Sequence, residues 1–112
     1  MSAPRLNLAL ALEHAVRTPD GAGGYGLSWE TLGTLWAEVK ALTGREAGGA
    51  AGPLAVARLA ITVRAAPVGS DARPVAGQRF RDGTRVFAIR VVSEADASGL
   101  YLLCQAEEEV SR

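Results

Sequence analysis

The sequence holds a single cysteine, Cys104, and a single histidine, His14. One cysteine excludes an internal disulfide and any metal site built from several thiolates. Cys104 follows Leu102 and Leu103, which makes it a core thiol rather than a nucleophile. His14 has no His-x-Glu or Cys/His spacing beside it, so neither a metal ligand set nor a general base is indicated. Ser28, Ser70 and Ser93 lack a nucleophile-elbow motif. No apolar run approaches the ~20 residues of a membrane-crossing helix. The apolar start from Leu6 to Leu12 is cut short by Glu13 and His14, unlike a signal peptide. Net charge of one sign is also missing: 12 basic and 12 acidic side chains balance, with a pI near 6.6. A field that gathers nucleic acid non-specifically is thereby excluded. The expectation is a soluble protein with no catalysis, metal or cofactor.

What the 112 residues do contain is enough apolar material, 48%, for one modest core, so the chain is expected to be a single domain, 1–112. Charge is distributed by segment. Residues 58–90 carry seven arginines against Asp71 and Asp82, a net of +5. Residues 91–112 carry Glu94, Asp96, Glu107, Glu108 and Glu109 against Arg112, a net of −4. Such a split suits subunits that meet positive face to negative face, although solvated strand faces give the same pattern.

Short alternating stretches separated by turn signals dominate the chain. Ala9–Arg17, Leu27–Leu32, Thr34–Leu42, Leu59–Arg64, Arg85–Val92 and Leu100–Ala106 read as strands. Leu35, Ala37, Val39 and Ala41 share one face, as do Phe87, Ile89 and Val91, and Leu100, Leu102 and Cys104. Asp82-Gly83 marks a tight hairpin, and Pro19-Asp20-Gly21 and Asp96–Gly99 mark turns. Gly44–Pro53 and Ala66–Gly77 read as loops, with a short helical turn allowed at Leu54–Leu59. The pattern predicts a mainly β fold: a small β-barrel of about six to seven antiparallel strands, with long loops and at most a short helix. Residues 29–42 stay open between strand and helix, since Trp29, Leu32, Trp36, Val39 and Leu42 also fit helical spacing. Gly33 in their middle disfavours the helix by about 1 kcal/mol relative to Ala.

Gly21-Ala-Gly-Gly-Tyr-Gly26 satisfies G-x-G-x-x-G to the letter. A dinucleotide site needs a buried strand before this motif and a helix opening on it. The preceding segment carries Glu13, His14 and Arg17, which is poor for a central parallel strand. A hairpin turn is the stronger reading and a nucleotide-binding module the alternative. Trp29 and Trp36 are either core residues or interface anchors. If 34–42 is a strand, Trp36 points with Glu38 and Lys40, away from the apolar face.

The order of these pieces resembles the phage head–tail joining family of head-closure, stopper and adaptor proteins. The likeness runs over nearly the whole chain. It consists of Arg5 and a first strand to Val16, then the turn Asp20, Gly21, Gly23, Gly24 and Tyr25, then Trp29 and the Trp36-Ala37 pair. Glu46, the strand Ile61–Arg64, Phe87-Ala-Ile89 and the last strand from Leu100 to Glu107 complete it. The Ala- and Arg-rich composition is most similar to the head–tail adaptors of alphaproteobacterial gene transfer agents.

The resemblance implies a small β-barrel that assembles into a ring, of six or twelve copies, at the head–tail interface of a phage-like particle. Its partners would be the portal or adaptor ring, the tail terminator or tail proteins, and genomic DNA passing through without sequence-specific binding. No membrane is implied, and assembly would take place in the bacterial cytoplasm. Some members of the family close the DNA channel with a loop. Here the corresponding loop has Arg45 and Glu46 as its only charges. Candidate ring contacts are Trp36, Arg45, Glu46, Arg79, Arg81, Arg85, Glu107, Glu108 and Glu109. Asp20, Gly21, Gly23, Gly24 and Tyr25 are expected to shape a turn. A generic small-barrel interaction domain acting outside a virion is the remaining alternative.

Overall fold

The computed structural model describes residues 3–42 and 55–110. Six strands make up the fold: β1 (Leu8–Pro19), β2 (Tyr25–Ala41), β3 (Ala55–Arg64), β4 (Arg79–Asp82), β5 (Arg85–Glu94) and β6 (Tyr101–Val110). All neighbours are antiparallel, and the order β1-β2-β3-β6-β5-β4 closes on itself through β1 and β4 into a barrel. Closure pairs both edges of β1 from Ala11 to Glu13, and β2 pairs with β3 from Ala37 to Ala41. The described residues include no helix.

Alternation fills the interior. Leu10 and Leu12 from β1, Leu59, Ile61 and Val63 from β3, Phe80 from β4, Phe87 and Ile89 from β5, and Leu102, Cys104 and Ala106 from β6 meet as one buried cluster with Ala37. Branched and aromatic side chains suit this pleated, one-sided burial.

Three expectations are corrected. Leu27–Leu32 and Thr34–Leu42 are not two strands but one, the 17-residue β2. It continues past Gly33 because the pairing slips there: Leu12 faces Gly33 while Glu13 faces Thr31, which leaves Leu32 as an extra residue. This bulge reverses the alternation of β2 relative to the pattern before it. The same device operates in β5. Ile89 faces Ala106 and Val91 faces Gln105, so Arg90 is the extra residue. As a result Val92, not Val91, packs against the core, and Val91 is exposed. Finally, β3 begins at Ala55, so the part of Leu54–Leu59 within the described residues is strand rather than helical turn. Residues 29–41 are strand as well, which settles that open choice.

One part of the fold leaves the barrel. β4 pairs with β1 only from Ala11 to Glu13, and β3 pairs with β2 only from Ala37 to Ala41. Beyond those rows, His14–Pro19 and Tyr25–Glu30 pair only with each other. At about 3.4 Å per residue, these six rows form a two-stranded arm reaching roughly 20 Å. The molecule is elongated, 54 × 37 × 23 Å.

Candidate functional site

The arm ends in the turn Asp20–Gly24. The Asp20 carboxylate accepts hydrogen bonds from the backbone N–H of Ala22 (2.8 Å) and of Gly24 (3.0 Å). These two N–H donors hold its pKa below the usual carboxylate value. Gly21 and Gly23 sit at φ of 82° and 84°, where a Cβ is strained. The turn is followed by a strand, not a helix, so the helix N-terminus that a dinucleotide site requires is not there. Two of the backbone N–H groups in the glycine run are already taken by Asp20. The G-x-G-x-x-G match therefore sits in the connection between two antiparallel strands, with Asp20, Gly21, Gly23 and Gly24 in the turn and Tyr25 opening β2.

Along the arm the two faces differ. Cross-strand rows place Pro19 opposite Tyr25, Arg17 opposite Leu27, Ala15 opposite Trp29 and, past the bulge, Ala9 opposite Trp36. These residues share the outer face of the sheet with Glu13 and Ala11. The outer face therefore carries Tyr25, Leu27, Trp29 and Trp36 beside a shelf of alanines. Tyr25, Leu27 and Trp36 are 67%, 60% and 60% exposed. The opposite face carries Thr18, Val16, Ser28, Glu30 and His14, with His14 Nε2 3.5 Å from the Glu30 carboxylate. The ribbon is amphipathic, and its aromatic side faces away from the barrel core. Trp36 matches its expectation as an outward residue; Leu27 was not singled out because its exposure depends on the arm leaving the barrel.

At the root of the arm lies Glu13. It is the one buried charged residue among those described, at 3% exposure, although it points outward. Arg79 Nε donates to one carboxylate oxygen at 2.7 Å and Arg81 Nε to the other at 2.8 Å. The Arg79 guanidinium also lies over the Trp29 ring, 4.1 Å from its centroid. Burial pushes the Glu13 pKa up, but the hydrogen bonds and charges of the two arginines outweigh it and leave the group below its ordinary value. Arg79 and Arg81, both expected at ring contacts, each pair with Glu13 within the subunit, and Arg81 is still 43% exposed. Sequence reading treated Glu13 as an interruption of an apolar run and a misfit for a central parallel strand; nothing in its neighbours announces two arginines 66 and 68 residues away.

The other candidate charges also pair internally. Arg85 donates two hydrogen bonds to Glu108, both 2.9 Å, and stacks on Phe87 at 4.9 Å. By strand alternation Arg85 and Glu108 lie on the inward side at the ends of β5 and β6, so the pair closes one mouth of the barrel over a buried phenyl ring. The hydrogen bonds to Arg85 lower the Glu108 pKa and raise that of Arg85. Glu107 faces outward between Arg90 (3.0 Å) and Arg58 (3.5 Å). For Glu109 only the backbone is described, paired with Val56. Arg45 and Glu46 lie outside the described residues. The acidic end of β6 therefore meets the basic strands inside one subunit, which the segmental charge split also allows.

Two shallow depressions mark the outside. One, about 410 Å³, is lined by Val56, Val86, Ala88, Arg79, Arg90 and Glu107. The other, about 390 Å³, lies beside Trp36 and is lined with it by Leu6, Thr34, Leu35 and Arg64. Cys104 is buried, and burial pushes its thiol pKa up to about 12. Among the described residues no group of three or more His, Cys, Asp or Glu is placed to hold a metal ion.

Comparison with known proteins adds a context for these surfaces. The family model described as phage head completion protein matches residues 1–109. A chain from the virion of a native gene transfer agent particle is 51% identical and superposes with a TM-score of 0.84, covering 98% of this chain and all of that one. A protein of Shigella flexneri 2a, solved in solution, is 25% identical with a TM-score of 0.72 over the full length of both chains. No curated protein sequence matches.

Proposed function

The chain belongs to the phage head completion protein family, and on that premise we propose that it is a structural subunit of the head–tail connector in a gene transfer agent–like particle. The observation that carries the proposal is the 51% identity, over 98% of this chain, to a chain of such a virion. In this reading the protein forms a ring that joins the portal or adaptor to the tail, and DNA passes through the ring. The exposed aromatic arm supports a role in contact rather than catalysis, because large apolar side chains held outward are costly unless a partner covers them. Closure of the DNA channel, which the resemblance also implies, would fall to the Gly44–Pro53 loop, outside the described residues.

Ring closure needs a heterologous interface, in which one face of each subunit meets a different face of the next. The internal ion pairs shift the expected contacts away from Arg79, Arg81, Arg85 and Glu108 and toward Trp36 and the arm. The test is a strain lacking this chain, with particles viewed by electron microscopy. DNA-filled heads without tails are expected to accumulate. Tailed particles at normal yield would overturn the proposal.

A further inference from the structure

The buried core does not fix the direction in which the arm leaves the barrel. Among the described residues, no side chain of arm residues 14–30 packs against the core cluster. We propose that Glu13, Arg79 and Trp29 form a clasp that fixes this direction, and that opening the clasp frees the arm to pivot as a unit about the bulge at its root. The clasp belongs to the single subunit, so the inference goes beyond the connector reading and does not depend on it.

The pivot follows from the strand pairing. β4 pairs with β1 no further than Glu13, and β3 pairs with β2 only from Ala37. Past the row Glu13–Thr31 the arm joins the barrel through two strands alone. The bulge interrupts the ladder at that row, with Leu32 as the extra residue. Leu32 packs against the core cluster, so the barrel side of the joint is anchored. Gly33 beside it has no side chain, and a Cβ there would meet nothing within 4 Å, which leaves the backbone room to turn. A few residues at the end of an element that absorb a change in φ and ψ are what a hinge requires.

The clasp follows from the side chains. Beyond the β1–β2 ladder, one hydrogen bond, ion pair or ring contact among the described residues ties the arm to another strand. It is the Arg79 guanidinium over the Trp29 ring, 4.1 Å from its centroid. The other polar contacts of the arm are internal: His14 with Glu30, and Asp20 with the backbone of its own turn. Arg79 is held in place by Glu13, which stands directly opposite on β1, accepts from its Nε at 2.7 Å and is only 3% exposed. A planar guanidinium offers an edge to a carboxylate and a face to an indole at once, which an ammonium does not. Trp29 is half-buried under it, whereas Tyr25 and Leu27 on the same face are exposed. Glu13 is thus a positioning residue that acts on the arm through Arg79. Arg81 supplies the contrast. It donates to the other Glu13 oxygen at 2.8 Å but lies over no aromatic ring.

Pulsed EPR on the purified chain tests the clasp. Nitroxides are attached at Ala22→Cys in the turn of the arm and at Ser93→Cys on β5, both exposed positions. Cys104 stays unlabelled, because it is buried and its thiol pKa is pushed up to about 12. The tip lies roughly 20 Å beyond the barrel rows, so a swing of about 15° moves it by about 5 Å. The labelled parent is expected to give one narrow distance distribution. Trp29→Leu, which leaves the pairing of Glu13 with both arginines in place, is expected to widen the distribution and shift its mean. Arg79→Lys is expected to do the same, and Arg81→Ala to keep the parent distribution. A broad distribution in the parent, or an unchanged one in Trp29→Leu or Arg79→Lys, overturns the proposal. Equal widening in Arg81→Ala overturns it as well, since the effect would then come from weakened pairing of Glu13 and not from the stack on Trp29.

Discussion

Glu13 and Arg79 stand directly opposite each other on β1 and β4, and the Arg79 Nε donates to the Glu13 carboxylate at 2.7 Å. The contact lies where the arm leaves the barrel, and the same guanidinium covers Trp29. Removing Arg79 leaves a buried carboxylate with Arg81 as its remaining partner. Breaking a buried pair costs about 3–5 kcal/mol, and the surviving arginine should hold the loss for Arg79→Ala to about 2–3 kcal/mol. Arg79→Lys restores charge but not the planar stack, so it should recover only part. Urea titration of the purified chain measures both.

The same site sets an acid limit. The folded-state pKa of Glu13 lies below the ordinary 4.5, so the unfolded chain takes up a proton first as pH falls. Its stabilisation is fully present above the ordinary value and is lost as pH drops through the lower folded one. Glu108 acts in the same direction. Glu13→Gln should lower stability at pH 7 and flatten the acid limb of a plot of denaturation midpoint against pH. An unchanged acid limb in that variant would show that Glu13 does not contribute to it.

Arg85 and Glu108 form a doubly hydrogen-bonded pair across the barrel mouth. Arg85 is 53% exposed, so solvent screens the pair. A double-mutant cycle with Arg85→Ala and Glu108→Ala should give a coupling of about 1 kcal/mol, the upper end for pairs this open to water. A coupling near zero, measured by chemical denaturation, would mean that the bidentate geometry adds nothing in solution.

The extent to which the fold was legible follows from where the information is local. The four-residue β4 is too short to show a period, whereas strands β1, β3 and β6 announce themselves by alternation, and Asp82-Gly83 and Asp20–Gly24 by turn chemistry. The two bulges do not. Nothing in Leu32-Gly33 or in Arg90 marks an extra residue, because a bulge is decided by the partner strand. Missing them split β2 in two and put Val91 in place of Val92. Trp36 could be assigned outward from a strand of fixed phase, whereas Leu27 and Glu13 required knowing that β3 and β4 stop short of the arm. The basic and acidic segments were visible as charge, but whether they meet within or between subunits depends on β6 lying between β3 and β5.

The glycines of β2 and of its turn should respond oppositely to substitution. Gly33 has an ordinary backbone conformation, and a Cβ there would meet nothing within 4 Å. Gly33→Ala should raise stability by about 0.4–1 kcal/mol, chiefly by restricting the unfolded chain. Gly21 is held at φ 82°, where a side chain costs roughly 1–2 kcal/mol. Because that turn lies at the far end of the arm, Gly21→Ala should loosen the arm locally and leave the barrel intact. Amide exchange should accelerate for residues 16–28 and stay unchanged for β3 and β6. Global acceleration would show that the arm and barrel fold as one cooperative unit.

The two tryptophans give an optical reading of the arm. Trp29 lies under Arg79, while Trp36 is 60% exposed on the same face. Trp36→Ala removes a side chain with little to lose in the free subunit, so stability should change by within about 0.5 kcal/mol. Iodide should quench Trp36 in the free protein and Trp29 much less, so Trp36→Phe should abolish most of the quenchable emission. If Trp36 lies at an interface between subunits, that quenching should fall when the protein enters particles, and Trp36→Ala should reduce incorporation at unchanged melting temperature. Equal quenching in free and assembled protein would show that Trp36 stays in solvent and that the contact lies elsewhere.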